Sequence, residues 1–144
     1  SDGESFVNAL GTMASRYLEA RIALKSDHRR IVFSDSQGTI RFIPYANIMC
    51  IAANGKHSVV HTVSGDFDAK MSISEMRAKL GAEFVTAHRS YLVNINYVAA
   101  VKPYEIEMAD GQTVPVPQRR YTDIRDRIMQ AHEQGAASLP VKPH

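Results

Sequence analysis

A mainly β domain of short antiparallel strands, with a helix at each end and one short helix inside, is the fold class that the sequence predicts. Three observations lead to it. From Arg30 onward the apolar residues fall in short extended runs, turn signals separate those runs, and a helical period returns only near the termini and after one internal capping box. Strands alternating with long helices, the mark of a parallel sheet, are not part of the pattern.

The first element, Gly3 to about Ser26, is helical by pattern. Phe6, Leu10, Met13, Tyr17, Ala20 and Leu24 recur at spacings of 4, 3, 4, 3 and 4, which is the seam of a coiled coil. Gly11 weakens it, and Val7, Leu18 and Ile22 widen the apolar face, so a dimer seam and packing against the chain's own β domain both fit. Residues 1–28 therefore read as a helical linker open to dimerisation, 29–132 as the β domain and 133–144 as a tail.

Within the β domain, Ile31-Val32-Phe33 leads to a turn at Ser36-Gln37-Gly38, and Thr39 to Ile43 returns as an alternating strand ended by Pro44. Ile48 to Ala52 runs into Asn54-Gly55, a strong hairpin signal, and Ser58 to Val63 follows up to a turn at Ser64-Gly65. Lys56 and His57 then sit at a loop edge. Ser72-Ile73-Ser74-Glu75 has the spacing of a capping box and opens a short helix through Ile73, Met76, Ala78 and Leu80 to Gly81. Phe84-Val85-Thr86 and Tyr91-Leu92-Val93 flank His88-Arg89-Ser90, and Tyr97 to Val101 and Tyr104 to Met108 read as strands closed by Asp110-Gly111. After Val114-Pro115-Val116-Pro117 comes a C-terminal helix, with Tyr121, Ile124, Ile128 and Met129 on one face and Arg125 and Arg127 on the other.

Composition narrows the function by exclusion. The 144 residues carry a formal net charge of +2, which permits contact with phosphate without demanding it. No apolar stretch approaches the roughly 20 residues that span a bilayer. The single cysteine, Cys50, lies in the apolar run Ile48 to Ala52 and reads as a buried, inert thiol, which fits a reducing cytoplasm. The six histidines, at 28, 57, 61, 88, 132 and 144, have no cysteine partner and no zinc-binding helix spacing. His57 and His61 share a strand face, but no further ligands accompany them. No metal, no cofactor and no catalytic chemistry is expected, and nothing resembles a nucleophile, a carboxylate pair or a phosphate loop. The chain begins Ser1-Asp2-Gly3 without an initiator methionine, so a longer polypeptide with an upstream sensor or membrane domain is expected.

The most informative run is Phe84 to Val98, where aromatic and aliphatic residues bracket the polar triplet His88-Arg89-Ser90. Histidine and arginine donate to groove-edge acceptors of DNA, and arginine forks onto guanine O6 and N7. Adjacent side chains on an extended strand point to opposite faces, so His88 is expected to turn inward and fix the loop while Arg89 points out. Asn94 is expected to hydrogen-bond the backbone at a turn.

This run resembles the signature of the LytTR family of DNA-binding domains, F-x-x-x-H-R-S-[FY]-[LIV]-V-N, from Phe84 through Asn94. Pro44 to Ile48, the Asn54-Gly55 loop, the short helix, Asp110-Gly111 and Val114 to Val116 extend the likeness over about residues 30 to 130. The resemblance implies short strands in small stacked sheets, with loop side chains entering successive major grooves. Carried over by position, the readers would be His57 with Lys56, Arg89 beside His88, and Arg119 with Arg120. The family usually has a serine where Pro117 stands, which leaves the register open: Arg119 or Arg120 reads a base with the other on phosphate, Arg119 being the favoured reader, and Gln118 is suited to adenine. Lys25, Arg29, Arg125 and Arg127 are expected on phosphates.

The expectation is thus a cytoplasmic DNA-binding domain of a bacterial transcription regulator, or the cytoplasmic part of a membrane-anchored one, bound to duplex DNA as a homodimer. An alternative of another class makes the N-terminal helix the functional element, as a protein-interaction or dimerisation module on a β scaffold.

Overall fold

The computed structural model describes residues 28–134. The predicted N-terminal helix, Lys25 and the tail from Gly135 lie outside them. The described strands are β1 Arg30–Ser34, β2 Ile40–Pro44, β3 Ile48–Asn54, β4 His57–Thr62, β5 Gly65–Ala69, β6 Phe84–His88, β7 Tyr91–Asn94, β8 Val98–Lys102, β9 Glu105–Met108 and β10 Thr113–Pro115. Helix α1, Ile73–Lys79, lies between β5 and β6, and α2, Tyr121–Glu133, follows β10. Every pairing is antiparallel. The strands form a β1-β2 hairpin, a central sheet in the order β5-β4-β3-β7-β6, and a small sheet in the order β10-β9-β8.

The central sheet has a hydrophobic core on each face, and strand alternation decides which residue enters which. Leu92, Phe84, Ile51 and Val60 join Ile31 and Phe33 of the β1-β2 hairpin and Ile73 and Met76 of α1 in one core. Val93, Val85, Ala87 and Cys50 join Ile106, Met108 and Val114 of the small sheet and Ile124 and Ile128 of α2 in the other. A bulge between Ile48 and Cys50 turns Ile48 and Ile51, three residues apart, into the same core, while Cys50 enters the other. Each fully buried aliphatic side chain adds roughly 1.5–3 kcal/mol of transfer free energy.

Local chemistry forms the elements as the sequence predicts in most places. At α1, Ser72 Oγ accepts from Glu75 N and the Glu75 carboxylate accepts from Ser72 N, so the capping box closes in both directions. The β3-β4 hairpin turns on Gly55, whose φ is 62°. That glycine holds the first central position of a two-residue turn between the paired Asn54 and His57, and Lys56 takes the second.

Three details differ from expectation. Strand β5 carries no sequence signal, because Gly65-Asp66-Phe67-Asp68-Ala69 buries only Ala69 fully; its acidic residues suit a sheet edge. Tyr97 belongs to a single 3-10 turn before β8, and Tyr104 to the β8-β9 turn rather than to a strand. Met129 was expected on the buried face of α2 but is 49% exposed. The helix buries only the stripe through Ile124 and Ile128, and Met129 is turned about 100° away from Ile128.

Candidate nucleic-acid interface

Two hairpin turns share one end of the central sheet because their strands are neighbours. Ala52 pairs with Tyr91, and Ala53 N donates to Ser90 O at 2.8 Å. The Asn54–His57 turn therefore stands beside the Arg89-Ser90 turn. Lys56, His57 and Arg89 are all exposed there.

The Arg89-Ser90 turn links the paired residues His88 and Tyr91. Two-residue hairpin turns normally rely on positive φ, which matches the twist of the strands. Among the described non-glycine residues only Tyr104 has a positive φ, so this turn is held by other means. A bulge between Thr86 and His88 absorbs the mismatch. His88 Nδ1 accepts from Ser90 N at 3.1 Å, and the His88 ring meets the Tyr91 ring edge-on at 5.9 Å. With Nδ1 accepting, the neutral ring carries its proton on Nε2. His88 is thus half-buried and braced, and its neighbour Arg89 projects into solvent.

A third basic segment, Gln118–Arg120, leads into α2. The C-terminal half of that helix is anchored far from the turns, where His132 Nε2 contacts Ile95 O at 2.9 Å and Arg127 donates to Ala82 O. Ile95 follows β7 and Ala82 precedes β6, at the end of the sheet remote from Arg89. Helix α2, 13 residues long, runs from the Gln118–Arg120 segment to this anchored end. Gln118–Arg120 forms a 3-10 turn at the other end of the helix, preceded by Pro117, whose carbonyl accepts from Arg120 N at 3.0 Å. Gln118 and Arg119 are exposed and Arg120 is half-buried.

Strand β8 runs back from the remote end, which brings the β8-β9 turn, Pro103-Tyr104, alongside this segment. Tyr104 O accepts from Val116 N at 3.0 Å, and the Tyr104 ring meets that of Tyr121 edge-on at 5.6 Å. Proline at the first central position and positive φ at the second is the type II arrangement, which normally places glycine second. Tyr104 occupies it with φ 68°, at a cost of about 1 kcal/mol for a residue bearing a Cβ. Sequence reading missed this residue, although the preceding proline marks the turn. Lys102, beside it, is held above the ordinary lysine range by its hydrogen bond to Glu107, at 3.1 Å, and by the charges of Glu107 and Glu105.

The cations expected on phosphate are placed differently. Arg29 bonds Glu83, Nη2 to Oε2 at 2.5 Å, and covers the Tyr45 ring at 4.8 Å. Glu83 is buried, so this pair satisfies a charge that would otherwise be costly to desolvate. Arg127 is occupied by Ala82 O. Both lie at the remote end, where each bonds an acceptor of the fold. Arg125 packs over Tyr121 at 5.6 Å and pairs with Asp126 at 2.9 Å, an exposed contact that exchanges readily with solvent or another anion.

The remote end is stitched by polar groups as well. Asn94 Nδ2 donates to Ile48 O at 2.8 Å while its Oδ1 accepts from Asn96 N at 2.9 Å, and Tyr97 Oη donates to Ala46 O. Burial pushes the Tyr97 phenol above its usual range. His61, on the outer face of β4, pairs with Asp66 at 2.8 Å. Among the described residues no three His, Cys, Asp or Glu side chains gather as a metal site, and no helix is long and apolar enough to cross a membrane.

Comparison with known proteins agrees with this fold. A LytTr DNA-binding domain from Bacillus cereus superposes with a TM-score of 0.59 at 24% identity, covering 69% of this chain and 95% of that one. The CO-responsive transcriptional regulator RcoM of Rhodospirillum rubrum is 28% identical over 94 residues, 60% of this chain and 40% of that protein, so the chain spans well under half of that regulator. Residues 38–129 match the LytTr DNA-binding domain family. That span includes the two hairpin turns and the basic segment, and the chain belongs to the LytTr DNA-binding domain family.

Proposed function

We propose that this domain reads a repeated duplex DNA sequence for a bacterial transcription regulator, with three turns entering successive major grooves. The observation that carries the reading is that exposed Lys56, His57 and Arg89 stand on adjoining turns of a fold that belongs to a DNA-binding family, with exposed Gln118 and Arg119 on a third turn. Arg89 forks onto guanine O6 and N7, held outward by the braced His88 turn. Arg119 and His57 read bases in the flanking grooves, and Gln118 is suited to the N6 and N7 of adenine. Lys56, Arg120 and Arg125 neutralise phosphates, which positions the domain without carrying sequence information.

A homodimer on DNA would set the repeat spacing, and an upstream sensor or membrane domain would control it from the cytoplasm. Selecting bound sites from random duplexes, followed by mobility shifts on the recovered site, tests the reading. Arg89→Ala is expected to weaken binding to that site by about tenfold or more. Unchanged affinity, or the recovery of no common sequence, would overturn it.

A further inference from the structure

We propose that Tyr104 forms a fourth contact to DNA, its phenol donating a hydrogen bond to a backbone phosphate beside the groove entered by Arg119. The inference rests on the DNA-reading function proposed above. Four observations converge on it. Tyr104 holds a positive φ that glycine would adopt without strain, and such strain gathers at functional sites because folding alone would relieve it. The side chain is 49% exposed, a large area for a tyrosine that helps no core. Its ring is oriented by the edge-on contact with Tyr121, and its backbone is pinned by Val116 N, so it is fixed against the segment that carries Gln118 and Arg119. Finally, no partner for its hydroxyl is found among the described residues.

The neighbouring charges explain why a neutral donor serves at this point. Lys102 pairs with Glu107 at 3.1 Å and faces Glu105, so these three side chains of the β8-β9 hairpin carry no net positive charge. Tyrosine is a regular donor to phosphate in protein–DNA complexes, and such contacts fix register rather than sequence. Arg119 needs a fixed register to meet its base. Tyr104 would thereby set the depth and angle of the 118–120 turn in its groove.

The test uses the whole chain, a duplex carrying the selected site and a scrambled duplex. Tyr104→Phe keeps the ring and the Tyr121 contact and removes only the hydroxyl. It is expected to weaken both duplexes by about fivefold, the worth of one hydrogen bond, with the salt dependence unchanged because no counterion is displaced by a neutral group. Tyr104→Gly removes ring and strain together. It is expected to lose about tenfold in affinity while the thermal midpoint holds or rises. Wild-type affinity in Tyr104→Phe, or a midpoint in Tyr104→Gly that falls along with its binding, would overturn the contact. Failure of the unmodified chain to bind any duplex would instead overturn the DNA-reading function itself.

Discussion

The two ends of the central sheet use similar side chains in opposite ways. At the remote end Arg29, Arg127, His132 and Asn94 are each bonded to a carboxylate or a backbone carbonyl, and their work is to join layers. At the other end Lys56, His57 and Arg89 stand in solvent on short turns, as Arg119 does on the turn before α2. Residue type therefore does not identify a DNA-contacting cation. The partner that the fold provides does, and a buried acceptor such as Glu83 engages a nearby arginine that itself stays at the surface.

If this contrast is right, substitutions at the two ends should separate stability from binding. The largest effect is expected at Asn94→Ala, which leaves the Ile48 carbonyl and the Asn96 amide without their buried partner. A loss of about 3 kcal/mol in urea unfolding is expected, with DNA affinity of the remaining folded fraction unchanged. Next comes Arg89→Ala, where mobility shifts should show a loss of about 1–3 kcal/mol on the selected site only, and unfolding should move by less than about 0.5 kcal/mol. A large stability loss there would break the comparison. Lys56→Ala should be milder, weakening all duplexes alike and lowering the salt slope by about one.

The smallest effect sharpens the contrast from another side. Asp35, in the β1-β2 turn, is the reverse case of an anchored carboxylate. Burial acts to raise its pKa, but the Thr39 and Gln37 amides and Arg41 together outweigh it and hold the carboxyl below its usual range. A lowered folded-state pKa contributes stability above the ordinary aspartate value and loses it as pH falls through the folded one. The stability difference between the wild type and Asp35→Asn should therefore shrink on acidification from about pH 7 to about pH 3, followed by urea midpoints. A difference that stays constant would remove Asp35 from the anchored set.

Most strands were legible because strand alternation and turn residues are local signals. Asn54-Gly55, the Ser72 to Glu75 capping box and the inward His88 beside the outward Arg89 each follow from a few adjacent residues. What stayed hidden depends on distant partners. Strand β5 exists because β4 offers an edge, not because its own sequence favours a strand. Arg29 reads as a free cation until Glu83, far along the chain, is folded against it. Tyr104 passed as a strand residue because an aromatic at positive φ contradicts every local preference.

The one thiol offers a timer for motion inside the molecule. Burial, and then the Asp110 and Asp66 carboxylates, push Cys50 up to about 12, so almost no thiolate exists at neutral pH and none of it meets reagent in the closed state. Labelling can proceed only when β3 parts from the small sheet and α2. The rate at which a thiol reagent modifies the chain would then count those openings, and slower labelling with duplex present would mean that DNA clamps the layers together.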